Sequence, residues 1–481
     1  MIRAGRAALG VALLAALLWL VAGHGLLNYD TLTTLVWGRD LARGELPDYD
    51  LSLAPTPHPL ATLAAVALAP LSVHVVDGVH GEAAVTVTAA FAFVALAVLG
   101  VVVYALGAAW FGKAAGALAA AIVLTRRPVL DFGARGYVDV PYLVLVLGAL
   151  LVETRRPRAG APVLALLALA GLIRPEAWLF SAAYLAWLVI GGERDPRRLA
   201  PLIALAATAP VLWALSDLVV TGDPLHSLTG TRDNAATLGR VTGLDDVPLT
   251  VPRRLGEILR EPVLFGAAGG LVLAWWLLRD RARLGVVTGI VALAAFCVLA
   301  AAGLPILGRY LLLPASILAI FCGAGAFGWL RLPPEHPRRR LWAGFGALTL
   351  VALVAFIPAQ VDRLDALHDA LARQSQIQED LVDLVRIPPG AIRASCSPVA
   401  VPNHRPVPLL ALGLDVRPDA IVPATRRRTV RGTYVAPADA EVASDYILDP
   451  RDIDRRIAPP PPGVVPVARN ASWRVFRRCP G

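Results

Sequence analysis

Charged residues are scarce in this chain. They make up 17% of its 481 residues, whereas 57% are hydrophobic and the mean hydropathy is +0.62. This composition excludes an ordinary soluble protein. Together with repeated apolar runs of membrane-spanning length, it indicates a polytopic membrane protein.

Lysine is almost absent, because Lys113 is the only lysine among the 45 basic residues. The arginines lie in short loops between apolar runs, which is the positive-inside pattern of a membrane protein. We therefore expect no nucleic-acid partner despite the net charge of +9. The bias towards Ala, Arg, Val, Pro and Leu is typical of a GC-rich bacterial genome, so we expect the bacterial plasma membrane as the location.

Several functional motifs are also missing. The chain has no Walker-type loop, nucleophile elbow, Rossmann fingerprint or metal-ligand spacing. We therefore expect no cofactor and no metal, and the chain lacks the domain that would bind a nucleotide sugar.

About eleven apolar segments are predicted to span the bilayer. They lie near 7–27, 82–106, 114–128, 138–152, 160–173, 176–190, 199–220, 262–278, 284–304, 309–329 and 341–358. Arg3 and Arg6 precede the first segment and no convincing cleavage site follows it, so we interpret it as a retained helix with a cytoplasmic N-terminus. Residues 60–76 are predicted to be an interfacial or re-entrant segment.

This topology divides the chain into three parts. Residues 1–358 form the transmembrane domain, whose loops 28–59 and 221–261 face the extracytoplasmic side. Residues 359–386 have leucines and isoleucines at helical spacing, which predicts an amphipathic connecting helix. Residues 387–481 are rich in proline and in strand and turn signals, and they predict a small extracytoplasmic α/β domain.

Cysteine pairing bears on the side of the membrane. Cys396 and Cys479 lie near the two ends of the C-terminal domain, whereas Cys297 and Cys322 lie in predicted spans. A disulfide between Cys396 and Cys479 fits an oxidising compartment and the extracytoplasmic placement. Two unpaired thiols are the alternative.

Four groups of polar residues lie on the outer side in this topology. Ionisable residues at membrane depth or at the interface are costly, so they are functional candidates. The groups are Asp30 with His58, Arg135 with Asp139, Arg174 with Glu176, and Arg309 with Tyr310. A carboxylate near arginines suits transfer of a group from a lipid phosphate, because the carboxylate can take a proton from a hydroxyl. Arginine can neutralise the charge that develops on a leaving phosphate.

Structural roles remain open for the same residues. Asp30 and Asp139 can cap the helices that begin beside them. His58 can be a turn residue, and Arg174 with Glu176 can be a local ion pair. Arg309 can anchor its span by snorkelling.

Two further segments have structural interpretations. In the helix after Asp30, Arg39, Arg43 and Glu45 fit a solvated face. In the loop 221–261, Asp223 fits a turn at Gly222-Asp223-Pro224.

The first outer loop resembles that of a known superfamily. It reads Tyr29-Asp30, then Gly38-Arg39-Asp40-Leu41-Ala42-Arg43-Gly44-Glu45-Leu46-Pro47, then Pro55-Thr56-Pro57-His58-Pro59-Leu60. This is similar to the first periplasmic loop of the GT-C polyprenyl-phosphate-sugar-dependent glycosyltransferases, in particular the protein-mannosyltransferase-like and aminoarabinose-transferase-like enzymes of the glycosyltransferase family 39 type. In that superfamily an acidic residue is followed some 28 residues later by a Lys-Pro-Pro-Leu-like element, and His58 lies 28 residues after Asp30.

Other elements extend the resemblance over roughly residues 7–360. They are Tyr137-Val138-Asp139-Val140-Pro141, Ile173-Arg174-Pro175-Glu176, Thr221-Gly222-Asp223-Pro224-Leu225-His226-Ser227-Leu228 and Gly308-Arg309-Tyr310. Each is weak alone, but their order and spacing together are moderately specific.

The resemblance implies a polytopic, all-α GT-C-like fold and an inverting transfer of a sugar from a polyprenyl-phosphate donor. Asp30 is then the base that activates the acceptor hydroxyl, Asp139 supports the acceptor or the sugar, and Arg309 is a candidate for the lipid phosphate. The expected partners are the polyprenyl-phosphate-linked sugar, a glycan, lipid or protein acceptor, and the lipid bilayer.

Two positions depart from the pattern. The superfamily often has an acidic pair at the first motif, and here Thr31 follows Asp30. His58 replaces the usual lysine, and a histidine is not necessarily charged at pH 7, which puts phosphate binding at this position in doubt.

Two other function classes remain as alternatives. A transporter or flippase of a lipid-linked substrate predicts charges at mid-bilayer and internal repeats, and we find no clear repeat. A non-catalytic assembly protein would act through its outer domain. The position of Asp30 discriminates among these functions, because a transferase requires it in a cavity shared with Asp139 and Arg309.

Overall fold

The computed structural model describes residues 2–51, 53–76, 78–386, 391–393, 396–427, 429, 431–449 and 457–479. Its membrane part is helical. The helices are α1 (Ile2–Ala22), α2 (Tyr29–Ala42), α3 (Pro59–Ala67), α4 (Ala69–Ser72), α5 (Glu82–Phe111), α6 (Lys113–Thr125), α7 (Arg127–Ala134), α8 (Asp139–Arg155), α9 (Ala161–Gly171), α10 (Glu176–Ile190), α11 (Pro196–Thr221), α12 (His226–Thr237), α13 (Val247–Leu259), α14 (Glu261–Leu277), α15 (Arg279–Ala301), α16 (Leu312–Phe327), α17 (Arg339–Ala355) and α18 (Ile357–Arg386). A short hairpin, β1 (Val75–Val76) and β2 (Val79–His80), precedes α5, and 3₁₀ turns at Gly308–Leu311 and Gly328–Arg331 flank α16.

An apolar helix lies at each predicted span. By length and composition, five helical segments of the described chain can cross a membrane, or up to eight if each of three bent helix pairs is one span. The other three predicted spans are α6, α9 and α10, with 13, 11 and 15 residues. At 1.5 Å per residue they are about 17–23 Å long, shorter than the roughly 30 Å hydrocarbon core. The predicted polytopic helical architecture is confirmed. Length and composition support five to eight crossings among the described residues, and the predicted eleven additionally require the short helices α6, α9 and α10.

Sharp bends separate two helices from the apolar helices that follow them. The helix axis turns by 113° between α7 and α8 and by 109° between α13 and α14. Both α7 and α13 have one apolar face, as helices lying at a membrane interface do. The break before α8 lies beside the loop 28–59, because Asn28 donates to the carbonyl of Arg135.

The C-terminal part folds around a five-stranded mixed sheet. Its elements are β3 (Val399–Val401), α19 (Val407–Gly413), a 3₁₀ turn (Pro418–Ala420), β4 (Ile421–Pro423), β5 (Gly432–Pro437), α20 (Ala440–Val442) with a π turn (Ala443–Ile447), β6 (Val465–Arg469) and β7 (Trp473–Arg478). The strand order is β4-β3-β5-β7-β6; β3 is parallel to β4 and β5, and β7 is antiparallel to β5 and β6. The predicted small α/β domain is therefore present, although the predicted boundary at residue 387 lies outside the described residues.

A disulfide joins Cys396 to Cys479, with 5.6 Å between their Cα atoms, and so connects the segment before β3 to the end of β7. Cys297 and Cys322 are free thiols on α15 and α16.

A continuous hydrophobic core fixes this domain to the outer loop. Leu35 of α2, Leu381 of α18, Leu410 of α19 and Trp473 of β7 are all buried in one cluster. The connecting helix α18 extends from Ile357 to Arg386 and presents its apolar face to this core. The domain and α2 consequently form one packed unit beside the candidate site.

Arg39 reinforces this contact, and its predicted place on a solvated helix face is wrong. Its side chain is 0% exposed, and its guanidinium donates to the carbonyls of Ala411 and Val416 at 2.9 and 2.8 Å. It also pairs with Asp40 at 2.8 Å and with Asp415 at 3.4 Å. Tertiary packing decides this burial, because Arg39 and its carbonyl partners lie more than 370 residues apart in the chain.

Candidate active site

Asp30 lies in the first turn of α2, but it does not cap the helix. Asn28 is the N-cap, and its side chain accepts a hydrogen bond from the Thr31 backbone N–H. Asn28 also donates to the carbonyl of Arg135 at 2.8 Å, and the Thr31 hydroxyl donates to that of Gly136 at 2.7 Å. The capping alternative for Asp30 is therefore wrong. Its carboxylate is about one-third exposed and free to contact other groups.

Asp139 begins α8 and is nearly completely buried, at 2% exposure. It makes no capping hydrogen bond; instead, one of its oxygens accepts a hydrogen bond from Arg174. The capping alternative for Asp139 is thus wrong as well. Its second oxygen, Oδ2, has no hydrogen-bond partner among the described residues.

Arg174 connects two buried carboxylates. Its guanidinium pairs with Asp139 and with Glu176, the latter at 2.8 Å. It also lies over the ring of Tyr310, 4.2 Å from the centroid, which is a cation–π contact. The local ion pair of the turn Arg174-Pro175-Glu176 exists, but it is part of a larger network that reaches Asp139.

Arg309 joins this network to Asp30. It lies on the 3₁₀ turn before α16, with Nη1 at 3.5 Å from Asp30 Oδ2 and at 4.0 Å from Asp139 Oδ2. Its guanidinium faces the rings of Tyr137 and Tyr310 at 5.2 and 5.8 Å. A residue that merely snorkels to the interface would not make these contacts.

A narrow cavity runs beside these side chains. Its volume is about 10 Å³, which is roughly the space that one water molecule needs. Its lining includes Asp139, Tyr142, Arg174, Glu176, Phe180, Phe296, Arg309 and Tyr310. Asp30 is not a lining residue and is joined to the cavity only through its contact with Arg309, so the expected sharing of one cavity holds for Asp139 and Arg309 but not for Asp30. Oδ2 of Asp139 and Oε2 of Glu176 are buried acceptors without a partner in the described part of the chain. Such acceptors are costly unless a ligand donates to them.

His58 does not supply a positive charge. It precedes α3 and makes no capping hydrogen bond, and its ring is edge-on to Trp213 at 6.1 Å. Burial, reinforced by the nearby charges of Arg174 and Arg309, lowers the pKa of His58 to about 3. A neutral His58 can form hydrogen bonds. The positive charges near it belong to Arg174 and Arg309.

Arg135 is separate from the cluster. Its guanidinium pairs with Asp131 at 2.5 Å and donates to Gln374 of α18. Its backbone carbonyl, by contrast, accepts from Asn28 and so holds the start of α2. Its role here is to connect α2 and α18.

The loop 221–261, predicted to lie on the outer side, packs against the segment that carries Arg309. The Ile306 N–H donates to the Val241 carbonyl at 2.9 Å, and α13 packs against the 3₁₀ turn of Arg309. Asp223 accepts from the Leu225 N–H at 2.9 Å, so the turn interpretation of Asp223 is confirmed.

Arg254 is a residue near the site that sequence patterns did not single out. A Cβ atom at Gly308 would come within 3.3 Å of the Arg254 side chain, so Arg254 lies directly over the residue before Arg309. It is 38% exposed and pairs with Glu257 at 2.5 Å. The sequence feature that could have indicated this contact is Gly308, because its lack of a side chain leaves room for Arg254.

The charges of the cluster do not balance. Asp30, Asp139 and Glu176 face Arg174 and Arg309, so the five side chains carry one excess negative charge when all are ionised. Arg254, whose side chain lies over Gly308, is a further cation beside the cluster, and it pairs with Glu257. No group of three or more His, Cys, Asp or Glu residues suited to a metal ion occurs within the described residues.

Solved structures with a similar fold are known. ArnT from Cupriavidus metallidurans bound to undecaprenyl phosphate matches with a TM-score of 0.55 and 14% identity, over 98% of this chain and 98% of that chain. The same protein in the apo state matches with a TM-score of 0.50 and 15% identity, over 99% and 98% of the two chains. Archaeal oligosaccharyltransferase AglB from Archaeoglobus fulgidus, in complex with an inhibitory peptide and a dolichol-phosphate, matches with a TM-score of 0.50 and 12% identity, over 90% of this chain and 69% of that chain.

No protein-family model matches the chain, and no curated protein matches it either. At identities of 12–15% the structural likeness shows the fold. ArnT and AglB are polytopic membrane proteins of the GT-C superfamily. The chain is therefore a multi-pass membrane protein with the GT-C fold, as its sequence motifs predicted.

Proposed function

We propose that this protein is a membrane glycosyltransferase that moves a sugar from a polyprenyl-phosphate donor to an acceptor hydroxyl on the extracytoplasmic side. The observation that carries the proposal is the contact of Asp30 with Arg309, which in turn lies 4.0 Å from buried Asp139. The fold supports it, because the similar ArnT structure holds undecaprenyl phosphate and the similar AglB structure holds dolichol-phosphate.

Asp30 is the proposed base. It is the most exposed carboxylate of the cluster, so an acceptor can reach it. In the free protein its carboxylate lies 3.5 Å from Arg309. A donor phosphate that binds Arg309 takes over this cation and leaves Asp30 available to accept the proton of the acceptor hydroxyl.

Arg309 and Arg254 are the proposed phosphate ligands. When the acceptor oxygen attacks the anomeric carbon, the bond from that carbon to the phosphate oxygen breaks, and its electron pair leaves with the polyprenyl phosphate. The phosphate thereby gains one negative charge, which an arginine beside it stabilises most in the transition state. Attack from the side opposite the leaving group inverts the anomeric configuration, and no metal takes part.

Asp139 and Glu176 are proposed to hold the sugar. Both residues line the cavity, which has room for one hydroxyl-sized group, so their unpartnered oxygens can accept a hydrogen bond from a sugar hydroxyl that enters it. Arg174 fixes both carboxylates in position through its two ion pairs. In this account Arg174 is a positioning residue, whereas Arg309 contacts the donor.

A transfer assay tests the proposal. The purified protein in nanodiscs receives labelled polyprenyl-phosphate mannose, arabinose or glucose together with a bacterial envelope fraction that supplies acceptors. We expect one donor to yield labelled product and free polyprenyl phosphate, also in the presence of EDTA. The matched control is Asp223→Asn, which removes an exposed turn carboxylate and should leave transfer unchanged. Movement of the donor across a membrane without transfer would support the transporter alternative instead.

A further inference from the structure

A second group of arginines lies away from the candidate active site. Arg126 occupies the junction between α6 and α7 and is only 6% exposed. Its guanidinium donates to the Leu259 carbonyl at 3.2 Å and to the Thr125 hydroxyl at 3.5 Å, and its Nε has no partner among the described residues. Arg126 is not among the residues that line the cavity beside Asp139.

Arg126 is buried without a counter-ion. No carboxylate of the described chain forms an ion pair with it, and its hydrogen-bond partners are neutral oxygens. The other deeply buried arginines differ, since Arg39 pairs with Asp40 and Arg174 with Asp139. An uncompensated buried charge is strongly unfavourable, so such a group is expected to have an anionic partner.

Arg363 adds a second positive charge at the same place. Gln360 of α18 donates to the Thr125 carbonyl at 2.7 Å, which seats the first turns of α18 against the residue before Arg126. Arg363 lies one helical turn after Gln360 and within electrostatic range of Arg126. It stacks over Phe356 at 5.5 Å rather than on a carboxylate. Arg127, the first residue of α7, is exposed beside them.

Apolar side chains flank this basic group on the protein surface. Val354, Ile357 and Val361, at the junction of α17 and α18, are 62%, 53% and 48% exposed. In a membrane protein such side chains contact lipid tails. In the predicted topology Arg126 lies at the outer end of its span. The positive-inside pattern does not favour positive charges there, so it does not explain why an arginine occupies this position.

We propose that Arg126 and Arg363 form a binding site for the phosphate of an anionic membrane lipid, separate from the catalytic cavity. The phosphate lies between the two guanidinium groups, and the lipid tails follow the apolar surface of Val354, Ile357 and Val361. The bound phosphate neutralises Arg126 and connects α6 to α18, the helix that carries the C-terminal domain. The site does not depend on the glycosyltransferase activity.

Thermal unfolding of the delipidated full-length protein in detergent tests the site. The probes are phosphatidylglycerol, zwitterionic phosphatidylcholine and inorganic phosphate. We expect phosphatidylglycerol to raise the Tm of the wild type by about 3 °C or more, because a ligand that binds only the folded state stabilises it. The shift should fall to less than half in Arg126→Met and in Arg363→Gln.

Arg198→Gln is the matched control, because it removes a side chain that is 73% exposed elsewhere on the molecule, and it should keep the full shift. Equal shifts in the wild type and in both variants would overturn the proposal. A full shift with inorganic phosphate alone would overturn the lipid as its source. If Arg126→Met does not fold, Arg363→Gln decides, since this residue is only partly buried.

Discussion

Arg174 and Arg309 are both arginines of the candidate site, but replacement of Arg174 should mainly lower stability, whereas replacement of Arg309 should mainly lower the transfer rate. Arg174 is 6% exposed and neutralises two buried carboxylates, Asp139 and Glu176. Arg174→Met leaves Glu176 without its cation and leaves Asp139 with only the 4.0 Å contact of Arg309, and breaking a buried ion pair in this way costs about 3–5 kcal/mol. We therefore expect a Tm lower by several degrees and a reduced yield of folded protein.

Arg309→Gln removes a partly exposed ion pair instead. The side chains of Arg309 and Asp30 are 22% and 31% exposed and lie 3.5 Å apart, so their ion pair contributes at most about 1 kcal/mol to stability. Its contribution to phosphate departure is larger, because removal of one transition-state donor typically lowers kcat by about 10²–10³-fold. Differential scanning fluorimetry and a single-turnover transfer assay on both variants measure the two effects. The reasoning is refuted if Arg309→Gln unfolds as readily as Arg174→Met, or if it transfers sugar at the wild-type rate.

Three further predictions concern the surroundings of the site. Arg254→Gln should raise the KM for the polyprenyl-phosphate donor by about 10-fold or more with little change in Tm, since one charge-assisted hydrogen bond is worth about 1.5–3 kcal/mol; an unchanged KM in steady-state kinetics would exclude Arg254 as a phosphate ligand. Burial lowers the pKa values of His58 and His404 to about 3. The contribution of each histidine to the free energy of unfolding is therefore complete above pH 6.5. It falls by up to about 1.4 kcal/mol per pH unit as the pH is lowered towards 3. Melting curves of His58→Gln should show a weaker loss of Tm between pH 6.5 and pH 4.5, and a slope equal to the wild type would contradict this. Reduction of the disulfide between Cys396 and Cys479, 83 residues apart, should lower stability by up to about 4.5 kcal/mol in the chain-entropy model; Tm measured with and without reductant checks it, and Cys297→Ser should not reproduce the loss.

Sequence patterns were sufficient to predict the side chains that meet in the cluster. Asp30, Asp139, Arg174 and Arg309 are far apart in the chain, but each lies at the end of an apolar segment. In the predicted topology the alternation of spans places such ends on one face of the membrane, which is why we expected these side chains to lie close together. Their distances to one another required the structure.

Local rules were less reliable where two residues compete for one position. Asn28 and Asp30 are both good N-cap residues, and the helix begins at Tyr29 because Asn28 is also held by the Arg135 carbonyl. Only the tertiary contact decides between them.

Long-range packing explains the remaining differences. Arg39 lies next to Asp40 on α2, and both are buried; nothing local predicts that the C-terminal domain covers them. Arg254 likewise approaches Arg309 only because the loop 221–261 folds back over the 3₁₀ turn. Such contacts depend on how two distant segments dock, which hydrophobic periodicity does not encode.

The role of Asp30 as the base is the central claim, and Asp30→Asn tests it most directly. The asparagine keeps the shape of the side chain and loses only a partly exposed ion pair, so expression and Tm should stay close to those of the wild type. With the labelled polyprenyl-phosphate donor that the wild type uses, the single-turnover rate should fall by about 10²–10⁴-fold. A folded Asp30→Asn variant that transfers sugar at the wild-type rate would contradict the proposed mechanism.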